Sequence, residues 1–143
     1  MILDTTYLLP LARIRVDTDL LKAVAEGKTE LELEALSVNL ISIFELQAKA
    51  AKLGVPAKFV TEAAQAILAT FRVEPFYKPE VIKKSFELRK TIPDYIDCMI
   101  VATAATLKED LVTEDTLISA NRKQIKKTYG INILSYRDLV KRL

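Results

Sequence analysis

The sequence predicts an α/β fold, a three-layer α/β/α sandwich around a central, mainly parallel sheet of five strands. Two observations carry this. Five short apolar runs alternate with longer helical stretches, the pattern of a parallel sheet buried between helices. The 143 residues, half of them hydrophobic with only 3 Gly and 5 Pro, suit one folded domain with a real core, read as residues 1–143.

Taken in order, "MIL" (1–3) reads as a buried strand running into a helical stretch over 6–14, where Pro10 introduces a kink. "TDLLKAVAEG" has helical spacing and a terminal Gly. "TELELEAL" (29–36) alternates strictly and reads as a strand, although Glu and Leu also favour helices. "VNLISI" (38–43) is the next expected strand, followed by helices in "FELQAKAAKLG" and "AKFVTEAAQAILATF". "RVEPF" (72–76) reads as a short strand and "PEVIKKSFELRKTI" as an amphipathic helix. After Pro93 the run "YIDCMIVATA" is a helix that is apolar nearly all round. "DLVT" is the fourth sheet strand, a basic helix follows over 116–129, "INILSY" is the last strand, and "RDLVKRL" ends the chain as a helix.

Composition removes several chemistries. The chain has no His, which excludes His-based triads, His-ligated zinc and His acid/base pairs. Its single Cys, Cys98, forms no internal disulfide and is expected to be a small buried hydrophobe, in keeping with a reducing cytoplasm. No apolar run reaches the roughly 18 residues of a membrane span. The apolar start is broken by Asp4 with no basic segment before it, so no signal peptide is expected. Residues 1–71 carry 7 basic and 9 acidic side chains, whereas residues 72–143 carry 14 and 10. The surplus gathers in "KKSFELRK" (83–90) and "RKQIKK" (122–127), read as solvated helix faces or as a surface for a phosphate-rich partner.

In open parallel sheets, ligands bind beyond the carboxyl ends of the strands. Four acids fall at such junctions: Asp4 after the first strand, Glu45 after the second, Asp97 in the first turn of the apolar helix, and Asp115 after "LVT". Each has a local explanation. Ser42-x-x-Glu45 matches a capping box, Asp94 caps the helix that carries Asp97, and Asp4 and Asp115 suit N-caps. Together they demand more. At about 5 Å and an effective dielectric of about 20, each pair of carboxylates repels by about 3 kcal/mol. Six pairs sum to roughly 20 kcal/mol, above the ~5–15 kcal/mol stability of a typical domain. Raised pKa values or a divalent cation must relieve that charge, and an all-oxygen donor set favours Mg²⁺ or Mn²⁺ over zinc.

These motifs resemble the PIN domain family, specifically its VapC-like toxin nucleases. "ILDTTYLL" is similar to the family's strand-Asp-Thr opening, "ISIFEL" to its Ser-x-x-Glu motif, "IDCMIVATA" to its Asp-x-x-Ile-x-Ala-x-Ala motif and "LVTED" to its Thr-x-Asp motif. The resemblance covers nearly the whole chain. One departure is "TLISAN", where many relatives place a further Asp and a Phe, so a fifth acidic ligand is not supported. Segment 29–36 has no family counterpart.

The resemblance implies a metal-dependent ribonuclease in which Asp4, Glu45 and Asp97 hold a first Mg²⁺ or Mn²⁺ and Asp115 completes the site or helps a second ion. Thr5, Thr6, Ser42 and Thr113 are supporting donors to carboxylate or phosphate, with plain capping as the alternative. Asp94 is expected to be a cap rather than a ligand, and Glu114 to point away from Asp115 at the surface. Relatives further imply an RNA substrate, a small antitoxin partner and a homodimer, with "YLLPLARI" open to interface or core packing. Rival readings are weaker. A haloacid-dehalogenase phosphatase needs a second Asp where Thr6 stands, a receiver domain needs an acidic pair near Asp4, and dinucleotide binding needs a Gly-rich turn. Within the same fold, an RNA processing or decay nuclease and a non-catalytic binding module are the alternatives.

Overall fold

The computed structural model describes residues 1–141. Five parallel strands form one sheet in the order β3-β2-β1-β4-β5, with β1 at Ile2–Leu3, β2 at Ser37–Asn39, β3 at Arg72–Glu74, β4 at Leu111–Val112 and β5 at Ile133–Leu134. The chain builds β1, β2 and β3 in one direction, then returns past β1 to add β4 and β5 on its other side. The order therefore reverses between β1 and β4, which makes their carboxyl ends the crevice where such sheets bind ligands.

Alternation along the central strands divides the core into two layers. Ile2 and Leu111 face one side, packed with Val81, Ile100, Ile118 and Ile125. These come from α4 (Pro79–Leu88), α5 (Tyr95–Leu107), α6 (Thr116–Ala120) and α7 (Arg122–Tyr129). Leu3 and Val112 face the other, packed with Tyr7, Leu20, Leu46 and Ile67. Those residues lie on a 3₁₀ helix (Thr5–Ala12), α1 (Leu20–Ala25), α2 (Ile41–Lys52) and α3 (Ala57–Thr70). A last short helix, α8 (Tyr136–Leu139), packs Tyr136 and Leu139 on this second layer. The expected three-layer sandwich is thus observed, with a wholly parallel sheet.

Several local expectations are corrected. The alternating 29–36 segment is irregular with one 3₁₀ turn at Leu33–Ala35, and Glu32, Leu33 and Glu34 lie on the surface. Both edges of β1 are already paired, by β2 and β4, so this run has no central place in the sheet. The strand expected over 38–43 stops at Asn39. There the Asn39 side chain accepts the Ile41 N–H at 2.8 Å, turning the backbone into α2 despite the β-branched Ile41 and Ile43. The basic helix expected over 116–129 is divided at Asn121 into α6 and α7. The final expected helix extends onto Arg142 and Leu143, which lie outside the described residues.

Cys98 is fully buried and donates to the Ile92 carbonyl, and burial pushes its thiol up to about 11, consistent with an inert core position.

Candidate active site

Local chemistry holds each acid where its strand or helix places it. Asp4 follows β1, and its backbone N–H pairs with the Val112 carbonyl of β4 at 3.0 Å. Only 7% exposed, its carboxylate accepts the Thr5 N–H at 2.7 Å through Oδ1 and the Thr113 hydroxyl at 2.6 Å through Oδ2. Thr113 Oγ1 in turn accepts the Asp115 N–H at 3.0 Å. Asp115 caps α6 by accepting the Ile118 N–H at 2.9 Å. Asp94 caps α5, accepting the N–H of Asp97 at 3.1 Å, so Asp97 sits at the positive end of that helix. The capping expectations for Asp4, Asp94 and Asp115 therefore hold.

The Ser42–Glu45 capping box does not form. Helix α2 begins at Ile41, so Ser42 is already inside it, and Leu40 at the cap makes no side-chain bond. The buried Ser42 hydroxyl instead accepts the Thr5 hydroxyl at 3.0 Å, joining α2 to the turn after β1. Among the described residues, Glu45 and Asp97 accept no hydrogen bond at their carboxylates, and Thr6 donates to none of the four acids. Asn39, missed in the sequence, is fully buried and donates to Thr103 of α5 at 2.7 Å. This bond ties the start of α2 to the helix carrying Asp97.

The electrostatics place the acids in one field. Burial raises the Asp97 carboxyl to about 7, and the negative charges of Asp115, Asp4, Asp94 and Glu45 push it in the same direction. Burial likewise raises the Asp4 pKa, opposed by its bonds from Thr113 and Thr5 and assisted by Glu45 and Asp115. None of the ion pairs among the described residues involves Asp4, Glu45, Asp94, Asp97 or Asp115. The chain carries 21 Lys and Arg, so this negative charge is left without a protein counter-ion among abundant cations.

Two findings bear on a metal. The donor set is all carboxylate and net negative, which fits a hard divalent cation. Yet among the described residues no three acidic, thiol or imidazole groups stand close enough together to hold an ion as they are. The acids share a field without closing into a finished chelate. A cation would have to draw them inward. A cavity of about 730 Å³ reaches this region only through Glu114 and contains none of the four acids.

Glu114 does lie at the surface, but its carboxylate is not free. It accepts the hydroxyl of the fully buried Tyr7 and, at 2.8 Å, the N–H of Tyr136. The sequence offered no signal for this contact, which joins residues 107 positions apart.

A parallel α/β sandwich whose acids share one electrostatic field beside its topological switch point is the class that fold and geometry define. The PIN domain profile matches residues 1–124, and the chain belongs to the PIN domain family. PIN domains are generally nucleases and generally use divalent metals. Among solved structures, it is similar to FitAcB from Neisseria gonorrhoeae, at 22% identity and a TM-score of 0.66, covering 96% of this chain and 99% of that one. A toxin-antitoxin complex from Klebsiella pneumoniae matches at 21% identity and a TM-score of 0.60, covering 91% and 93%. VapBC2 from Rickettsia felis, bound to a DNA fragment from its promoter, matches at 18% identity and a TM-score of 0.62, covering 94% and 96%. These likenesses establish the fold. Among curated proteins none matches the chain at a significant level.

Proposed function

We propose that the chain is a Mg²⁺- or Mn²⁺-dependent endoribonuclease acting as the toxin of a toxin–antitoxin pair. The carrying observation is the uncompensated acidic group at the sheet's switch point, contributed by four separate stretches of chain. In this reading residues 1–143 form one nuclease domain.

Asp4, Glu45 and Asp97 would hold the cation, with Asp115 completing the site or helping a second ion. Once bound, such a cation neutralises the phosphate and lowers the pKa of a water enough to supply a nucleophile without His. Thr113 and the Thr5 N–H fix the Asp4 carboxylate for this task. Asp97 must first lose the proton that its surroundings favour. In-line attack by water with departure of the 3′ oxygen leaves a 5′-phosphate and a 3′-hydroxyl.

The toxin role is supported by likeness to a protein solved as a toxin–antitoxin complex. An antitoxin partner and a homodimer follow from that reading. No helix among the described residues is long and apolar enough to cross a membrane, in keeping with the cytoplasmic site of action proposed here.

The test is RNA cleavage with added Mn²⁺. Asp4→Asn is expected to abolish cleavage while retaining the parent's circular dichroism spectrum. Cleavage by the variant at the parental rate removes Asp4 from the site.

A further inference from the structure

We infer that Tyr7 and Glu114 are positioning residues that set the orientation of the Thr113–Asp115 loop toward Asp4. This rests on the nuclease reading of the acidic group and adds a support that lies outside it.

The two loops concerned are joined at two points. Asp4 accepts the Thr113 hydroxyl at 2.6 Å, and three residues after Asp4 the Tyr7 hydroxyl reaches Glu114. Thr113, Glu114 and Asp115 are consecutive, and Asp115 donates its own N–H back to Thr113 Oγ1 at 3.0 Å. The residues on either side of Glu114 are already held, Thr113 by its N–H on the Leu134 carbonyl and Asp115 by the Ile118 N–H on its carboxylate, each at 2.9 Å. The Tyr7 tether adds a side-chain hold on the residue between them, from the same stretch that carries Asp4. Tyr7 suits this work because its ring is fully buried in the core, which makes its hydroxyl a rigid post. The oxygen that receives it, Glu114 Oε2, also accepts the Tyr136 N–H at 2.8 Å, so the start of α8 is fastened to the same point. A buried phenol needs only some acceptor, and a nearby carbonyl would serve. Here the acceptor is the residue between the one that holds Asp4 and Asp115 itself.

The experiment measures Mn²⁺ binding to the whole protein by isothermal titration, with the melting temperature followed in parallel. Tyr7→Phe keeps the ring and removes only the hydroxyl. Glu114→Ala removes the acceptor from an exposed position and leaves the buried Tyr7 hydroxyl unpaired, a cost that the melting temperature reads separately. Glu114→Gln keeps an oxygen able to take both bonds. Tyr7→Phe and Glu114→Ala are each expected to weaken Mn²⁺ binding about tenfold, the scale at which the outer partners of metal ligands act, with Glu114→Gln staying within about twofold of the parent. The double variant should be no weaker than the weaker single one, because both remove the same bond. Parental Mn²⁺ affinity in Tyr7→Phe and Glu114→Ala, whatever happens to their melting temperatures, overturns the inference. So does a loss in Glu114→Gln equal to that in Glu114→Ala, which would assign the effect to charge. Failure of the parent itself to bind Mn²⁺ would instead remove the nuclease reading, and this inference with it.

Discussion

Replacing Asp97 by Asn is predicted to stabilise the metal-free protein while ending its catalysis. Burial and the charges of Asp115, Asp4, Asp94 and Glu45 move the Asp97 carboxyl from its ordinary 3.8 to about 7. Each pH unit of such a rise is worth about 1.4 kcal/mol, so an unscreened group would destabilise the fold by about 4 kcal/mol when ionised. Asp97 is only half-buried, and water screening reduces this to about 1–2 kcal/mol. The sign follows from the folded pKa lying above the unfolded one. The penalty is absent below about pH 4, grows as pH rises from about 4 to 7, and is complete above that. Asparagine has the same shape without the charge. In EDTA at pH 8 the variant should melt about 3–6 °C higher than the parent, and at pH 4.5 the advantage should nearly vanish. Thermal denaturation at the two pH values, paired with Mn²⁺-dependent RNA cleavage, reads both halves. A variant less stable than its parent at pH 8, or equally favoured at both pH values, refutes the electrostatic argument.

Two further outcomes follow from the same geometry. Thr113→Val deprives Asp4 of its 2.6 Å donor and the Asp115 N–H of its acceptor; urea denaturation should show a loss of about 1–3 kcal/mol, with RNA cleavage reduced. Mn²⁺ affinity measured from pH 5.5 to 8 should rise and level off above about 7, because the cation competes with the Asp97 proton over that range.

The sheet was legible because β1 and β4 are short apolar runs fully buried between helices, and burial on both faces leaves a composition signal. Asp4, Asp97 and Asp115 stand where a strand or a Pro-terminated turn hands over to a helix, a place that sequence marks well, whereas Glu45 lies a turn inside α2. What was not legible depends on contacts remote in the chain. Alternation in 29–36 suggested a strand, but both edges of β1 were already taken by β2 and β4. The turn at Asn39 cannot be separated from the strand before it without knowing that its amide is fixed by Thr103, 64 residues away. The expected Ser42–Glu45 cap failed because α2 begins at Ile41, which puts Ser42 inside the helix, where its hydroxyl meets Thr5, 37 residues away. Tyr7, in the stretch left open between interface and core, is fully buried, yet its partner Glu114 had no neighbour in sequence to announce it.

The most direct measurement is an anomalous difference map from crystals soaked in Mn²⁺. A manganese peak is predicted among Asp4, Glu45 and Asp97, with Asp115 beside it. A manganese peak elsewhere on the molecule, with these four carboxylates unmoved, would contradict it.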